Sequence, residues 1–275
     1  MHLFIGSEVT LGISTTVYLQ FVALPKYQQD LLVVFDNLDD AIALTPKVMN
    51  AGITPVCVEF MDNASIKQVE VFLDEKLPKS ENGNYIIIQI AGDNEDVLMD
   101  QCEKIVELAE DNKAIDSLVA DPAVIWKSRK AYLEADRARS LVFSMEDIVV
   151  PMTEIPGAVQ QISRLGEKYN VAMHCAGHCG DGNVHIDILK DDRTLEECEA
   201  MLPKIPAAIY ALVYKLGGPL SGDHGIGYKR EALLEKYTDP VELKMMKAVK
   251  KALDPKNIMN PGKVVSINDE VPVEE

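Results

Sequence analysis

Residues 30–110 alternate between short β-rich runs and stretches with helical spacing, and this alternation narrows the possible folds more than any other feature. Residues 30–36 (DLLVVFD), 54–61 (TPVCVEFM) and 84–91 (NYIIIQIA) read as strands. Residues 38–51 read as a helix closed by Gly52. Residues 93–110 carry Val97, Cys102, Ile105, Val106 and Leu108 at helical intervals. Two architectures produce such a series. One is a parallel doubly wound sheet; the other is an α+β fold with helices on one face of an antiparallel sheet. No glycine-rich dinucleotide fingerprint follows an early strand, which weakens the first.

Later elements announce themselves by their caps. Thr194 with Glu197 three residues on forms a capping box, and Asp239-Pro240 with Glu242 starts another helix. Pro25 marks a boundary, so residues 1–25 form one piece and residues 26–275 the main domain, with 255–275 returning toward the first. Residues 268–275 (NDEVPVEE) are an acidic tail expected to fray.

The formal charge of -17 argues against nucleic acid and anionic membrane as partners. An anionic substrate is still compatible, because a local cationic pocket can override the global field. Five cysteines, an odd number in a chain of 275 residues, read as free thiols in a reducing compartment. The apolar start of the chain lacks a basic flank and is interrupted by Gly6, Ser7 and Glu8, so it reads neither as a signal peptide nor as a membrane span. Cytoplasm is the expected location.

Four of the five histidines lie between residues 174 and 224. The densest stretch, MHCAGHCGDGNVHIDIL (173–189), reads as strand, glycine turn, strand. Val184, Ile186 and Ile188 share one face of the second strand, with His185 and Asp187 on the other. His178 and His185 flank the turn and are candidates to converge on a divalent transition metal. Their spacing is equally compatible with hydrogen-bonded core histidines. A second concentration, GGPLSGDHGIGYKR (217–230), sets Asp223-His224 among five glycines. In an extended backbone Asp223 would face a metal and His224 a substrate, as third ligand and general base. A solvated Asp-His pair in a flexible loop is the alternative. Lys127, Arg129 and Lys130 beside Trp126 read alone as a solvated helix face; an arginine there can also grip a carboxylate through two parallel hydrogen bonds.

Five motifs occur in order: GSEVTLGI (6–13), MEDIVVP (145–151), GHCGDGNVH (177–185), SGDHGIG (221–227) and NPGK (260–263). Together they resemble the FAD-linked oxidase family of D-lactate, glycolate and D-2-hydroxyglutarate dehydrogenases. The resemblance implies an α+β fold: a ferredoxin-like antiparallel sheet with helices packed on it, serving as the substrate-binding cap. It implies His178, His185 and Asp223 as ligands of a divalent metal (zinc, iron or manganese), His224 as catalytic base and Arg129 as the grip on the substrate carboxylate. It implies that residues 6–13 (Gly6, Ser7, Glu8, Thr10, Leu11, Gly12, Ile13) and Asn260 lie against FAD. Residues 1–25 then correspond to the last segment of the family's FAD-binding domain, the rest of which is outside this sequence.

The expected function is FAD-dependent oxidation of a small D-2-hydroxy acid, this chain supplying the metal and substrate half. Its expected partners are an FAD-domain chain and an electron-transferring flavoprotein. The alternatives are a truncated, non-catalytic metal-binding cap and, less in keeping with the flavin motifs, a metal-dependent hydrolase. Three positions depart from the family pattern: Asp223 replaces a glutamate, Val9 a glycine, and Cys179 an alanine or leucine. A β-branched Val9 would be strained if the backbone there needs positive φ.

Overall fold

A computed structural model describes residues 2–267; the acidic tail 268–275 lies outside them. The chain divides into two compact units, Met1–Val22 with Leu220–Glu275, and Ala23–Pro219. This differs from a division into 1–25 and 26–275, because everything from Leu220 onward groups with the N-terminal segment.

The larger unit runs β1 (Tyr27–Phe35), α1 (Leu38–Asn50), β2 (Cys57–Met61), α2 (Asn63–Leu73), β3 (Asn84–Gly92), α3 (Glu95–Asp111), β4 (Asp116–Val119), α4 (Pro122–Arg139), β5 (Val142–Val149), α5 (Ile155–Tyr169), β6 (Met173–His178), β7 (Asn183–Leu189), α6 (Leu195–Met201) and α7 (Ile205–Lys215). The strands form one sheet in the order β4-β1-β3-β2-β6-β7-β5. Each neighbouring pair is antiparallel. The order β4-β1-β3-β2 is ferredoxin-like, and β6-β7-β5 repeats its last three positions in reverse. The doubly wound alternative is thereby excluded.

Helices cover both faces of the sheet, not one. The strands themselves require this: the last six residues of β1 and the first five of β3 are buried without alternation. On one face α2 and α4 set Ile66, Val69, Ile125 and Tyr132 onto Leu32, Met61, Tyr85 and Ala176. On the other, α1 packs beside α3 and α5, and α5 beside α7. The second strand starts at Cys57, later than residue 54, because Pro55 has no N–H to give to a ladder.

The helix starts follow their caps. Asn37, Asp62 and Asp121 accept backbone N–H groups at the heads of α1, α2 and α4, and the Thr194–Glu197 box is formed in full. The turn between β6 and β7 depends on Gly182, at φ +87, where a Cβ would lie 2.1 Å from the carbonyl oxygen of Val150. Pairing across β2, β6, β7 and β5 brings six histidine and acid positions into register. Ala176 pairs with His185, His174 with Asp187, His178 with Glu59, and His185 with Asp147. Paired residues share a face, so Glu59, Asp147, His174, His178, His185 and Asp187 all lie on the side covered by α2 and α4.

The smaller unit contains α8 (Glu231–Tyr237) and α9 (Pro240–Leu253). Lys250 holds it together. Its buried ammonium donates to the carbonyls of Thr10 (2.8 Å) and Met259 (2.7 Å) and pairs with Asp254 at 2.5 Å. One side chain thus ties the N-terminal loop to the NPGK segment, which is why the chain's two ends form one unit.

Candidate metal and substrate site

In the larger unit the site is built from a carboxylate outward. Glu59, in the middle of β2, accepts a hydrogen bond from His178 Nδ1 on Oε1 at 2.6 Å. Its Oε2 takes Arg129 Nε at 3.1 Å and Nη2 at 2.9 Å. Engaging Nδ1 leaves Nε2 as the outward nitrogen of His178, and this atom lies 3.2 Å from Nε2 of His185. The two rings stand nearly perpendicular, at 88°. Behind His185, its Nδ1 lies 3.6 Å from Oδ1 of the fully buried Asp147.

Burial raises the Glu59 carboxyl, but the His178 hydrogen bond and the Arg129 charge overcome it and hold Glu59 below its usual range. The same hydrogen bond raises His178 against the opposing effect of burial. Two imidazoles that present Nε2 atoms to one point suit a cation that accepts both lone pairs. Ligands 2.0–2.1 Å from a tetrahedral ion are about 3.3 Å apart, and the two nitrogens here are at 3.2 Å. An acidic partner on the far nitrogen of a ligating histidine is the usual outer support of such a site. The donor set therefore fits a divalent transition metal. Cys179 does not join it: the side chain is fully buried, and burial pushes its thiol well above its ordinary value.

Arg129 lies on α4 and is mostly buried, so it is not the solvated helix face that its charged neighbours suggest. Its Nε and Nη2 are directed at Glu59, so it first serves the carboxylate that orients His178. Glu59 and Asp147 were missed by sequence reasoning. The signal for Glu59 was a lone acid in the apolar run VCVEFM; for Asp147 it was an acid inside the motif MEDIVVP.

In the smaller unit Asp223 and His224 sit on the glycine loop, both partly exposed. Oδ1 of Asp223 approaches Nε2 of His224 to 3.8 Å. The two side chains do not diverge as an extended backbone would make them, because residues 222–224 form a bend. Glu8 lies against the same loop. Its carboxylate accepts the backbone N–H groups of Ile226 at 2.6 Å and Gly227 at 2.7 Å. Asn260 donates its side-chain amide to the Glu8 carbonyl at 2.7 Å, and the Thr10 hydroxyl donates to the Ser7 carbonyl at 2.7 Å. Gly6 takes φ +76 and Ile13 is exposed, while Gly12 lies against the ring of Phe4 and Leu11 lines an apolar cavity of about 700 Å³ with Leu3, Ile5 and Met245. Glu8 and Val9 have φ of 51° and 61°. Val9 thus occupies the left-handed region where the family pattern has glycine, a conformation that costs a β-branched residue about 1–2 kcal/mol.

Residues 24–264 match the family described as FAD linked oxidases, C-terminal domain. The chain belongs to that family. It is 33% identical over 273 residues to a D-lactate dehydrogenase of Anaerostipes hadrus, covering 96% of this chain and 58% of that protein. It is 32% identical over 267 residues to glycolate oxidase subunit GlcD of Bacillus subtilis (strain 168), covering 96% of this chain and 56% of that one. This FAD-linked oxidase chain therefore spans little more than half the length of these relatives. A solved structure of p-cresol methylhydroxylase with substrate bound shares the fold, at a TM-score of 0.64 and 16% identity, over 90% of this chain and 54% of that chain. Among the described residues no helix is long and apolar enough to cross a membrane.

Proposed function

We propose that this chain supplies the metal- and substrate-binding half of an FAD-dependent dehydrogenase. The reaction is oxidation of a D-2-hydroxy acid, of the D-lactate or glycolate type, to the 2-oxo acid. The observation that carries this reading is the meeting of His178 and His185 at 3.2 Å, braced by Glu59, in a chain of this family.

In this reading His178 and His185 bind zinc, iron or manganese through Nε2, with Asp223 as third ligand. The bound ion would polarise the substrate hydroxyl and lower its pKa. A guanidinium has five N–H donors, and those of Arg129 not engaged by Glu59 grip the substrate carboxylate. A ring nitrogen of His224 accepts the hydroxyl proton. FAD, contacted by Gly6, Ser7, Thr10, Leu11, Gly12, Ile13 and Asn260, would take the hydride from C2. An FAD-binding domain is the partner that would hold most of the flavin. The exposed Ile5, Ile13, Val17, Phe21 and Val22 of the smaller unit are an apolar surface such a partner would cover. An electron-transferring flavoprotein would be the electron acceptor. We assign the reaction to the cytoplasm, in keeping with five free thiols.

Substrate binding tests the reading without any flavin. Calorimetry should detect D-lactate or glycolate binding to the zinc-loaded chain and none to the chain stripped with a chelator. Equal binding to both would overturn the assignment. Glu59 gives a second expectation. Glu59→Gln keeps the size of the side chain but removes the charge that supports His178, so zinc affinity should fall about 10–100-fold. A competition titration against a fluorescent chelator measures this, and an unchanged affinity would remove Glu59 from the site.

A further inference from the structure

The N-terminal loop does more than offer a surface to flavin. Glu8 turns its carboxylate inward, onto the loop that carries Asp223 and His224. Both oxygens are used, one on Ile226 N–H and one on Gly227 N–H, at 2.6 and 2.7 Å. These amides lie two and three residues after His224. Gly225 at φ +82 and Gly227 at φ +55 bend the chain into a concave backbone nest of the kind that binds anions. A Cβ on Gly225 would lie 2.6 Å from Oε1 of Glu8, so the glycine is what admits the carboxylate. The nest is closed from outside by Arg230, whose Nη1 donates to the Gly225 carbonyl at 2.7 Å, and by Val264, whose N–H donates to the Gly227 carbonyl at 3.0 Å. Glu8 reaches this place only through two consecutive left-handed residues, itself and Val9. The hydrogen bond from Asn260 to the Glu8 carbonyl holds that unfavourable turn. A strained turn, a glycine-only approach and two charge-assisted hydrogen bonds all serve one contact.

We infer that Glu8 is a positioning residue: its carboxylate, seated in the Gly225–Gly227 backbone nest, sets the conformation of the loop that presents His224. The catalytic meaning of this rests on His224 being the base. The clamp itself does not, and it can be read without substrate, metal or flavin.

The experiment uses the full chain with labelled histidines and amide hydrogen exchange. In Glu8→Ala the amides of Ile226 and Gly227 should exchange about tenfold or more faster, since each loses a charge-assisted partner. The His224 ring resonance should shift while that of His174, in the other unit, stays in place. Excess sodium acetate should then restore both signals, because a free carboxylate can occupy the vacated nest. Glu8→Gln keeps one acceptor oxygen and turns an NH2 toward the second amide, so it should shift His224 part of the way and resist rescue by acetate. This isosteric variant also decides the matter if Glu8→Ala fails to fold. Unchanged exchange and an unmoved His224 resonance in Glu8→Ala would overturn the inference, as would a Glu8→Gln chain whose His224 resonance coincides with the parent's. A moved His224 resonance in a chain that binds no D-lactate would uphold the clamp and count against the dehydrogenase reading alone.

Discussion

His185→Ala should abolish stoichiometric metal binding by the chain and leave its fold intact. The first half of this expectation follows from the 3.2 Å separation of the two Nε2 atoms. With one imidazole gone, a single histidine nitrogen remains at that point, and burial pushes the thiol of the nearby Cys179 well above its ordinary value, away from the thiolate that could replace it. The second half follows from where His185 lies. It faces a partly open site, its side chain is not fully buried, and its strand neighbours Val184 and Ile186 point into the opposite core. Truncation to alanine therefore leaves the apolar packing of β7 in place. Elemental analysis after dialysis against zinc should give about one equivalent for the parent and essentially none for the variant. Unaltered far-ultraviolet circular dichroism should accompany the loss. A variant that retains its metal would show that the ligand set is wrong. A graded loss, strong for His185→Ala and partial for Glu59→Gln, would separate ligand from support.

The strands and helices were legible because their signals are local. The run NYIIIQIA and the Thr194–Glu197 box announce their elements without help from the rest of the chain. Sheet direction was not legible. β1 and β3 carry runs buried on both faces, so the two-residue alternation that betrays a half-exposed antiparallel strand is missing; the absent dinucleotide fingerprint weakened the parallel alternative, and the family resemblance pointed to antiparallel pairing. His178 and His185 stood out from the glycine turn between them, and the same resemblance gave them a role. What it did not yield was their support. Glu59 is 119 residues from His178, and the contact exists only because β2 pairs with β6. Arg129 shows the same limit. An arginine suited to a carboxylate was expected, but the carboxylate it meets here belongs to Glu59, which register and not motif brings beneath α4. Glu8 was read as a flavin contact, since nothing in GSEVTLGI reveals that its side chain turns back onto residues 226 and 227.

Asp136→Ala should destabilise the chain more than any change at the site, by about 3–5 kcal/mol near pH 6. Asp136 lies on α4, fully buried, with Oδ1 2.6 Å from Nδ1 of His174 on β6. Tyr132 donates its hydroxyl to the His174 carbonyl at 3.0 Å, so the pair locks α4 to the sheet beside the candidate site. Burial works against charge on the His174 ring, but the Asp136 hydrogen bond and charge, with Asp62 behind them, outweigh it and raise the ring above its ordinary value; Arg139 opposes this from the helix end. Deleting the carboxylate leaves a buried imidazole without its counter-charge, and that is the costly case. For a chain of this size the loss corresponds to a fall in thermal midpoint of roughly 6–20 °C. The sign with pH follows from the direction of the shift. A group raised in the folded state stabilises fully below its unfolded value, and that stability is lost as pH rises through the folded value. His174 therefore contributes most below about pH 6.5 and progressively less above it. Asp187, pushed up to about 7 by burial and by the Asp136 charge, loses its contribution in the same direction. The parent should thus melt lower at pH 8 than at pH 6, and Asp136→Ala should flatten that slope while lowering the whole curve. Thermal melts of the two chains at both values decide it: a variant that melts with the parent at pH 6 would show that the pair does not hold α4 in place.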